Sequence, residues 1–210
     1  VNWANDVDQA KAAHFAFAKS PASAIKNYYP AVIEKSVEFG YITWPRRIQD
    51  HIRGKSVLDV GCGFGAFGNG FLVAGAKKYT GIDPKMPLDV SRVKNKRKRE
   101  WSDLGTTPNE IMERCPDIHL INGIIEDLET KATYDAVVLH NVTEHLHNIR
   151  EIIPNIRGLL NPGGYLIYHH DNFFSWNGHH LAPSKPEQYE PGLAKHEEMV
   201  DWNHILIAPD

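Results

Sequence analysis

The stretch Ser56-Val57-Leu58-Asp59-Val60-Gly61-Cys62-Gly63-Phe64-Gly65 decides how this chain is read. An apolar run, Val57 to Val60, breaks into three glycines at alternate positions, Gly61, Gly63 and Gly65. Phe67 and Phe71 then follow one helical turn apart. Strand, glycine turn and helix, in that order, open a nucleotide-binding α/β unit. The glycines allow positive φ and let a ligand lie against the backbone without meeting a Cβ.

Charge beside the turn narrows the ligand. A pyrophosphate sits at a helix N-terminus and avoids nearby anions. Here Asp59 precedes the first glycine by two residues, which repels phosphate and favours an ammonium or a sulfonium. S-adenosylmethionine (SAM) carries both cations and no phosphate. A second carboxylate, Asp83, ends the next apolar run, Tyr79-Thr80-Gly81-Ile82, about 20 residues past the turn, where a ribose-binding acid belongs. The stretch resembles the first motif of the class I SAM-dependent methyltransferases, Asp-x-Gly-x-Gly-x-Gly. The resemblance spans about residues 54 to 172 and implies a cofactor site built from Asp59, Gly61, Cys62, Gly63, Gly65 and Asp83. The plainer alternative is a nucleotide-type α/β domain with another ligand or none.

Working outward, strands and helices alternate. Apolar runs at 78–82, 118–121 and 134–139 read as strands. A helix over about 148–160 carries Ile149, Ile152, Ile153, Ile156, Leu159 and Leu160 on one face. Asn161-Pro162-Gly163-Gly164 closes it and turns into a strand at 165–168, a step again similar to the methyltransferases. The pattern predicts an α/β fold, a Rossmann-like, mostly parallel sheet with helices on both faces. In the resembled family the residues after the third strand flank the adenine, so Ile124 and Ile125 join the cofactor set, as does His140 past the fourth. Residues 85–115 are long for a connection and are expected to hold a helix, read over 108–114, and an inserted segment. Within them lies Arg92-Val93-Lys94-Asn95-Lys96-Arg97-Lys98-Arg99, which reads as a solvated helical face rather than a nucleic-acid patch. Residues 1 to about 40 read as helical, with Pro21 starting a second helix after Ser20. The domain reading is an N-terminal helical cap over 1–50 and a SAM-binding domain over 51–210 with a substrate loop at about 169–200, forming one compact unit.

Composition sets bounds. The 210 residues suit one domain with elaborations, and 42% hydrophobic with 23% charged residues is ordinary for a soluble globular chain. A net charge of -3 gives no drive toward nucleic acid. Two cysteines, Cys62 and Cys115, make no disulfide framework, which points to a reduced, cytoplasmic setting. No apolar run approaches a membrane span. The chain begins at Val1 rather than Met, and only one final strand, at 204–207, is legible where the family has two more, so the natural chain is expected to extend further or the sheet to be short. Nothing in the sequence speaks to the oligomeric state.

Methyl transfer from a sulfonium asks the protein to align a nucleophile and, for a hydroxyl, to take its proton. The residues leaving the carboxyl ends of the fourth and fifth strands are His140 to His145 and His169 to Asp171, and imidazole is a suitable base near neutral pH. His145 is the first candidate base, with His169 and His170 as alternatives. Glu144-His145 resembles the Glu-His step of the ubiquinone-biosynthesis O-methyltransferases and of small-RNA 3′-end methyltransferases. Those groups use it, with another Glu three residues earlier, to hold a divalent metal. Here that position is Asn141, which weakens the metal reading. Mg²⁺ or Mn²⁺ on Glu144, His145 and residues among His169, His170 and Asp171 stays open beside a hydrogen-bonded helix start at Glu144. The segment from His169 to His180 holds four histidines, and Asn141, Asp171, Trp176, His179 and His180 are the candidate substrate residues. The expectation is O-methylation of a hydroxyl on a small molecule, a sugar or other polyhydroxylated metabolite. The alternatives are an RNA methyltransferase and a binding module that keeps the fold without turnover.

Overall fold

The computed structural model describes residues 12, 41, 43–63, 68–91, 93–94, 101–103, 105–128, 133–143, 146 and 148–170. Apart from Ala12, which is helical, the helical reading of 1–40 lies outside them, as do the loop from Asp171 on and the strand read at 204–207. Two short helices, α1 (Thr43–Arg47) and α2 (Gln49–Ile52), lead into β1 (Ser56–Val60). After the glycine turn come α3 (Gly68–Val73), β2 (Lys78–Ile82), a small pair β3 (Val93–Lys94) and β4 (Trp101–Ser102), and α4 (Pro108–Arg114). Then follow β5 (Ile118–Ile121), a 3-10 turn (Ile125–Asp127), β6 (Tyr134–His140), α5 (Ile149–Leu159) and β7 (Leu160–His169).

The five long strands form one sheet in the order β5-β2-β1-β6-β7. β1 runs parallel to β2 and β6, and β2 runs parallel to β5. β7 keeps the same sense: Gly164 lies against the Asp135 carbonyl near the start of β6, and the Asn141 N–H donates to the His169 carbonyl at its end. The Rossmann-like sheet expected from the sequence is present. β1 and β6 are buried over Val57–Val60 and Ala136–Leu139, as strands covered on both faces must be. The chain starts on β1, moves outward to β5, then returns to the far side of β1. That reversal creates a switch point between β1 and β6, where open α/β sheets take ligands beyond the carboxyl ends of their strands.

Polar contacts tie the opposite, amino end. The Asp135 carboxylate accepts from the Ser56 N–H (2.8 Å), the Ser56 hydroxyl (2.9 Å) and the Asn161 amide (2.8 Å). These bonds hold its pKa below the ordinary carboxylate value, the Ser56 N–H contributing most. They also account for a departure from the sequence reading. β7 begins at Leu160, five residues before the expected Tyr165. Asn161 is anchored on Asp135, and Pro162 sits on a strand at the sheet's edge among the described strands, where a missing N–H costs no ladder bond.

Two further expectations change. Of the basic run at 92–99, read as a helical face, Val93–Lys94 is described, and there the chain is a strand paired antiparallel with Trp101–Ser102; the rest of the run lies outside the described residues. On α5 the apolar face is narrower than expected. Ile152, Ile156 and Leu159, spaced i, i+4 and i+7, are buried, whereas Ile153, one step of 100° round the helix, is 42% exposed. The helix expected at 108–114 is present as α4. Thr107 caps it reciprocally, accepting from the Glu110 N–H at 3.2 Å while Glu110 accepts from the Thr107 N–H at 2.9 Å.

By internal contacts the chain divides into two compact units, Val1–Leu139 with Arg150–Ile167, and His140–Ile149 with Tyr168–Asp210. The first has a core of Ile52, Val57, Phe71, Leu72, Tyr79, Met86, Ile111, Ile118, Leu120 and Val138. Among the described residues no helix is long and apolar enough to cross a membrane.

Candidate active site

In the first unit the glycine turn leaves β1 with Gly61 and Gly63 at φ +73° and +70°, a region that an L side chain enters only at a cost. The Gly61 N–H donates to the Ile82 carbonyl at 2.8 Å, which keeps the turn against the end of β2. Asp83 follows directly. Its own N–H donates to the Ile121 carbonyl (3.1 Å), and its carbonyl accepts from the Gly123 N–H (3.3 Å). Its carboxylate accepts from the Gly63 N–H on Oδ2 (2.9 Å) and from the Lys85 N–H on Oδ1 (2.8 Å). Asp83 thus ties the carboxyl ends of β1, β2 and β5 together. An ionised carboxylate has about four acceptor sites. Two are spent on backbone, one per oxygen, and one per oxygen remains.

Asp59 behaves differently from Asp83. It is 6% exposed, and its Oδ2 accepts the Tyr79 hydroxyl at 2.8 Å. Cys62 is also buried, its thiol turned to the Gly63 carbonyl at 3.9 Å. Burial, followed by the nearby Asp59 and Asp83 carboxylates, pushes that thiol's pKa well up. Cys62 therefore faces the turn with its backbone and stays a neutral thiol inside. The two isoleucines past β5 part company: Ile124 is 46% exposed and Ile125 only 4%. Ile124 thus presents an exposed apolar face, while Ile125 packs inward. Gly65 lies outside the described residues.

The second unit gathers imidazoles. Asn141 has φ +56°, the one non-glycine residue in the left-handed region among the described residues. In that conformation its Oδ1 stands 2.5 Å from His169 Nδ1, while its N–H bonds the His169 carbonyl at 3.1 Å. An amide oxygen only accepts, so this contact suits a ring with its proton on Nδ1. The Thr143 hydroxyl meets His170 Nδ1 at 2.8 Å. The His140 and His169 rings are 5.6 Å apart, edge to face. Of the residues singled out in the sequence, His140, Asn141, His169 and His170 are brought together here. Glu144, His145, Asp171, Trp176, His179 and His180 lie outside the described residues. Among those described, no three His, Cys, Asp or Glu side chains gather to hold a metal ion. The sequence reading missed Tyr79 and Thr143. Thr143 lies between two candidates and had a signal in its position. Tyr79 was hidden in an apolar run.

A family model described as a methyltransferase domain matches residues 39–205. The ubiquinone biosynthesis O-methyltransferase of Vibrio parahaemolyticus serotype O3:K6 (strain RIMD 2210633) is 31% identical over 122 residues, which is 57% of this chain and 45% of that protein. The enzyme of the same name from Bordetella bronchiseptica (strain ATCC BAA-588 / NCTC 13252 / RB50) is 27% identical over 128 residues, 60% of this chain and 46% of that one. The chain spans under half the length of these curated relatives. Among solved structures, the N-methyltransferase NodS from Bradyrhizobium japonicum WM9 is similar at 22% identity and TM-score 0.43, over 63% of this chain and 68% of that one. Coclaurine N-methyltransferase bound to N-methylheliamine and SAH is similar at 15% identity and TM-score 0.45, over 79% of this chain and 51% of that one. The family match covers most of the sequence and includes the glycine turn, Asp83 and the imidazole segment, and the chain belongs to the SAM-dependent methyltransferases of class I.

Proposed function

We propose that this protein methylates a hydroxyl of a small molecule, a sugar or other polyhydroxylated metabolite, with SAM as donor. The observation that carries the cofactor reading is Asp83: a carboxylate fixed by two backbone N–H groups at the end of β2, with acceptor capacity left for a ribose diol. SAM, when bound, supplies a methyl group already activated by its sulfonium. The chain's own tasks are then to bind, orient and deprotonate. Asp83 holds the ribose, Gly61 and Gly63 let the ligand approach backbone, Ile124 offers an apolar face to the adenine, and Asp59 adds negative charge beside a cationic ligand.

Proton removal falls to an imidazole among His145, His169 and His170. His169 has support in Asn141, which places the proton on Nδ1 and leaves Nε2 as the basic nitrogen. A divalent metal on Glu144 and His145 is the alternative way to lower the acceptor hydroxyl's pKa. The O-methyl preference rests on the relatives' names and on the presence of candidate bases. The sugar preference rests on the His-, Trp- and Phe-rich segment 169–180 as a stacking wall. Residues 1–50 are read as a helical cap on the catalytic domain. The test is transfer of labelled methyl from SAM to a panel of hydroxylated small molecules, with an RNA arm. Transfer to a hydroxyl acceptor is expected. Transfer to RNA alone overturns the acceptor class, and SAH binding without transfer to any acceptor leaves a binding module.

A further inference from the structure

We infer that Tyr79 is a positioning residue of the cofactor site, acting through the Asp59 carboxylate; this rests on the SAM-binding reading above. Asp59 on β1 lies opposite Gly81 on β2, and Tyr79 precedes Gly81 by two residues, so all three share one face of the sheet. The Tyr79 side chain lies along β2 across Gly81 and delivers its hydroxyl to Asp59 Oδ2 at 2.8 Å. A Cβ at Gly81 would stand 2.9 Å from that oxygen and 2.8 Å from Cys62 Sγ. Glycine at 81 thus keeps open the space that the phenol crosses to reach the carboxylate, with the Cys62 thiol beside it. The ring is held behind by Phe71 on α3, centroids 4.9 Å apart, and Tyr79 is 1% exposed.

The chemistry of the contact has one direction. A carboxylate only accepts, and burial followed by the neighbouring Asp59 charge keeps the phenol protonated as donor. A buried carboxylate is costly unless donors meet it. The Tyr79 hydroxyl therefore satisfies one acceptor site of the buried Asp59 carboxylate and orients that carboxylate beside the glycine turn. The half of the ligand that feels this is the cationic amino-acid half. The nucleoside half answers to Asp83.

Tyr79→Phe removes the hydroxyl and keeps the ring. Titration calorimetry on the full chain with two probes separates the halves: S-adenosylhomocysteine, which keeps the ammonium, and 5′-methylthioadenosine, which has ribose and adenine but no amino acid. The expected result is about a tenfold weaker affinity for S-adenosylhomocysteine and an unchanged affinity for methylthioadenosine. In an Asp59→Asn background the same substitution should add nothing further, because the two residues act as one unit. Asp59→Asn, which keeps the shape of the carboxylate and removes its charge, should give the same pattern and serves where Tyr79→Phe does not fold. Unchanged affinity for S-adenosylhomocysteine overturns the inference, and so does an equal loss for both probes, the mark of a purely structural tyrosine. A parent protein that binds neither probe overturns the SAM-binding reading itself, and the inference with it.

Discussion

Replacing Asp83 by alanine tests the cofactor site at the residue that joins three strand ends. The carboxylate accepts from the Gly63 and Lys85 N–H groups and, in the proposed complex, from two ribose hydroxyls. Hydrogen bonds to a charged group contribute about 1.5–3 kcal/mol. Asp83→Ala should therefore weaken SAM or S-adenosylhomocysteine by about 10- to 150-fold. Two effects feed that loss. The ribose loses its acceptors, and the glycine turn loses the bond on Gly63, so part of the binding energy goes to re-forming the turn. Asp83→Asn separates them, since an amide keeps one acceptor but turns an NH₂ toward either a backbone N–H or a ribose hydroxyl. It should bind between parent and alanine variant. The two backbone donors are not deeply buried and can take water, so the fold should survive, and a melting curve without ligand checks this. Calorimetry on a folded Asp83→Ala protein showing parental affinity refutes the assignment and sends the ribose elsewhere.

Three further outcomes follow from the geometry. Of His145→Ala, His169→Ala and His170→Ala, the one that removes the base should lower kcat by ~10²–10⁴ while S-adenosylhomocysteine affinity stays constant; three variants all within a few-fold of the parent exclude an imidazole base. If Glu144 and His145 hold a metal, a chelator should abolish turnover and Mg²⁺ or Mn²⁺ restore it, whereas activity indifferent to chelator after dialysis removes that route. Asp135→Ala should lower Tm by roughly 2–4 °C at neutral pH. The Asp135 pKa is depressed in the folded state, so its contribution is present above the unfolded carboxylate value of about 3.9 and is lost as pH falls through the folded value; a Tm gap that does not shrink in acid contradicts the role given to that carboxylate.

How far the sequence could be read depended on the range of the interaction. The strands at 56–60, 78–82, 118–121 and 134–139 and the helix at 108–114 are encoded by neighbours within a few positions, and each is found close to the expected residues. Asp83 was legible because the spacing from turn to acid is set by one β-α-β unit. The contact between Tyr79 and Asp59 was not, because it depends on the register Asp59 to Gly81 between two strands. In a run that reads Tyr-Thr-Gly-Ile, a tyrosine looks like core, and here it is core at the ring and polar at the tip. The pairing of Val93–Lys94 in a β-ribbon, where a helical face was read, escaped the sequence for a related reason. A strand of two residues leaves no periodicity to detect, and charge alone does not distinguish the two elements. Ile153 erred by one helical step, within the width that an apolar stripe tolerates.

Asn141 is where local rule and chemistry meet. In the resembled metal-binding enzymes a Glu stands at this position. The backbone here is left-handed, a conformation that costs most residues roughly 1–2 kcal/mol and that Asn tolerates. A Glu would meet that cost and would also bring a charged, longer side chain against His169. Asn supplies an acceptor of the right reach with no charge, and its N–H and Oδ1 both close on the same histidine. The substitution thus exchanges a metal-ligating group for one that fixes an imidazole by its Nδ1. In the proposed mechanism that exchange suits a proton-taking histidine better than a metal. It also makes Asn141→Gly the informative variant: glycine keeps the left-handed backbone without strain and deletes only the amide. If turnover falls while the fold and S-adenosylhomocysteine affinity hold, the side chain works through His169; if turnover is unchanged, Asn141 is there only for its backbone.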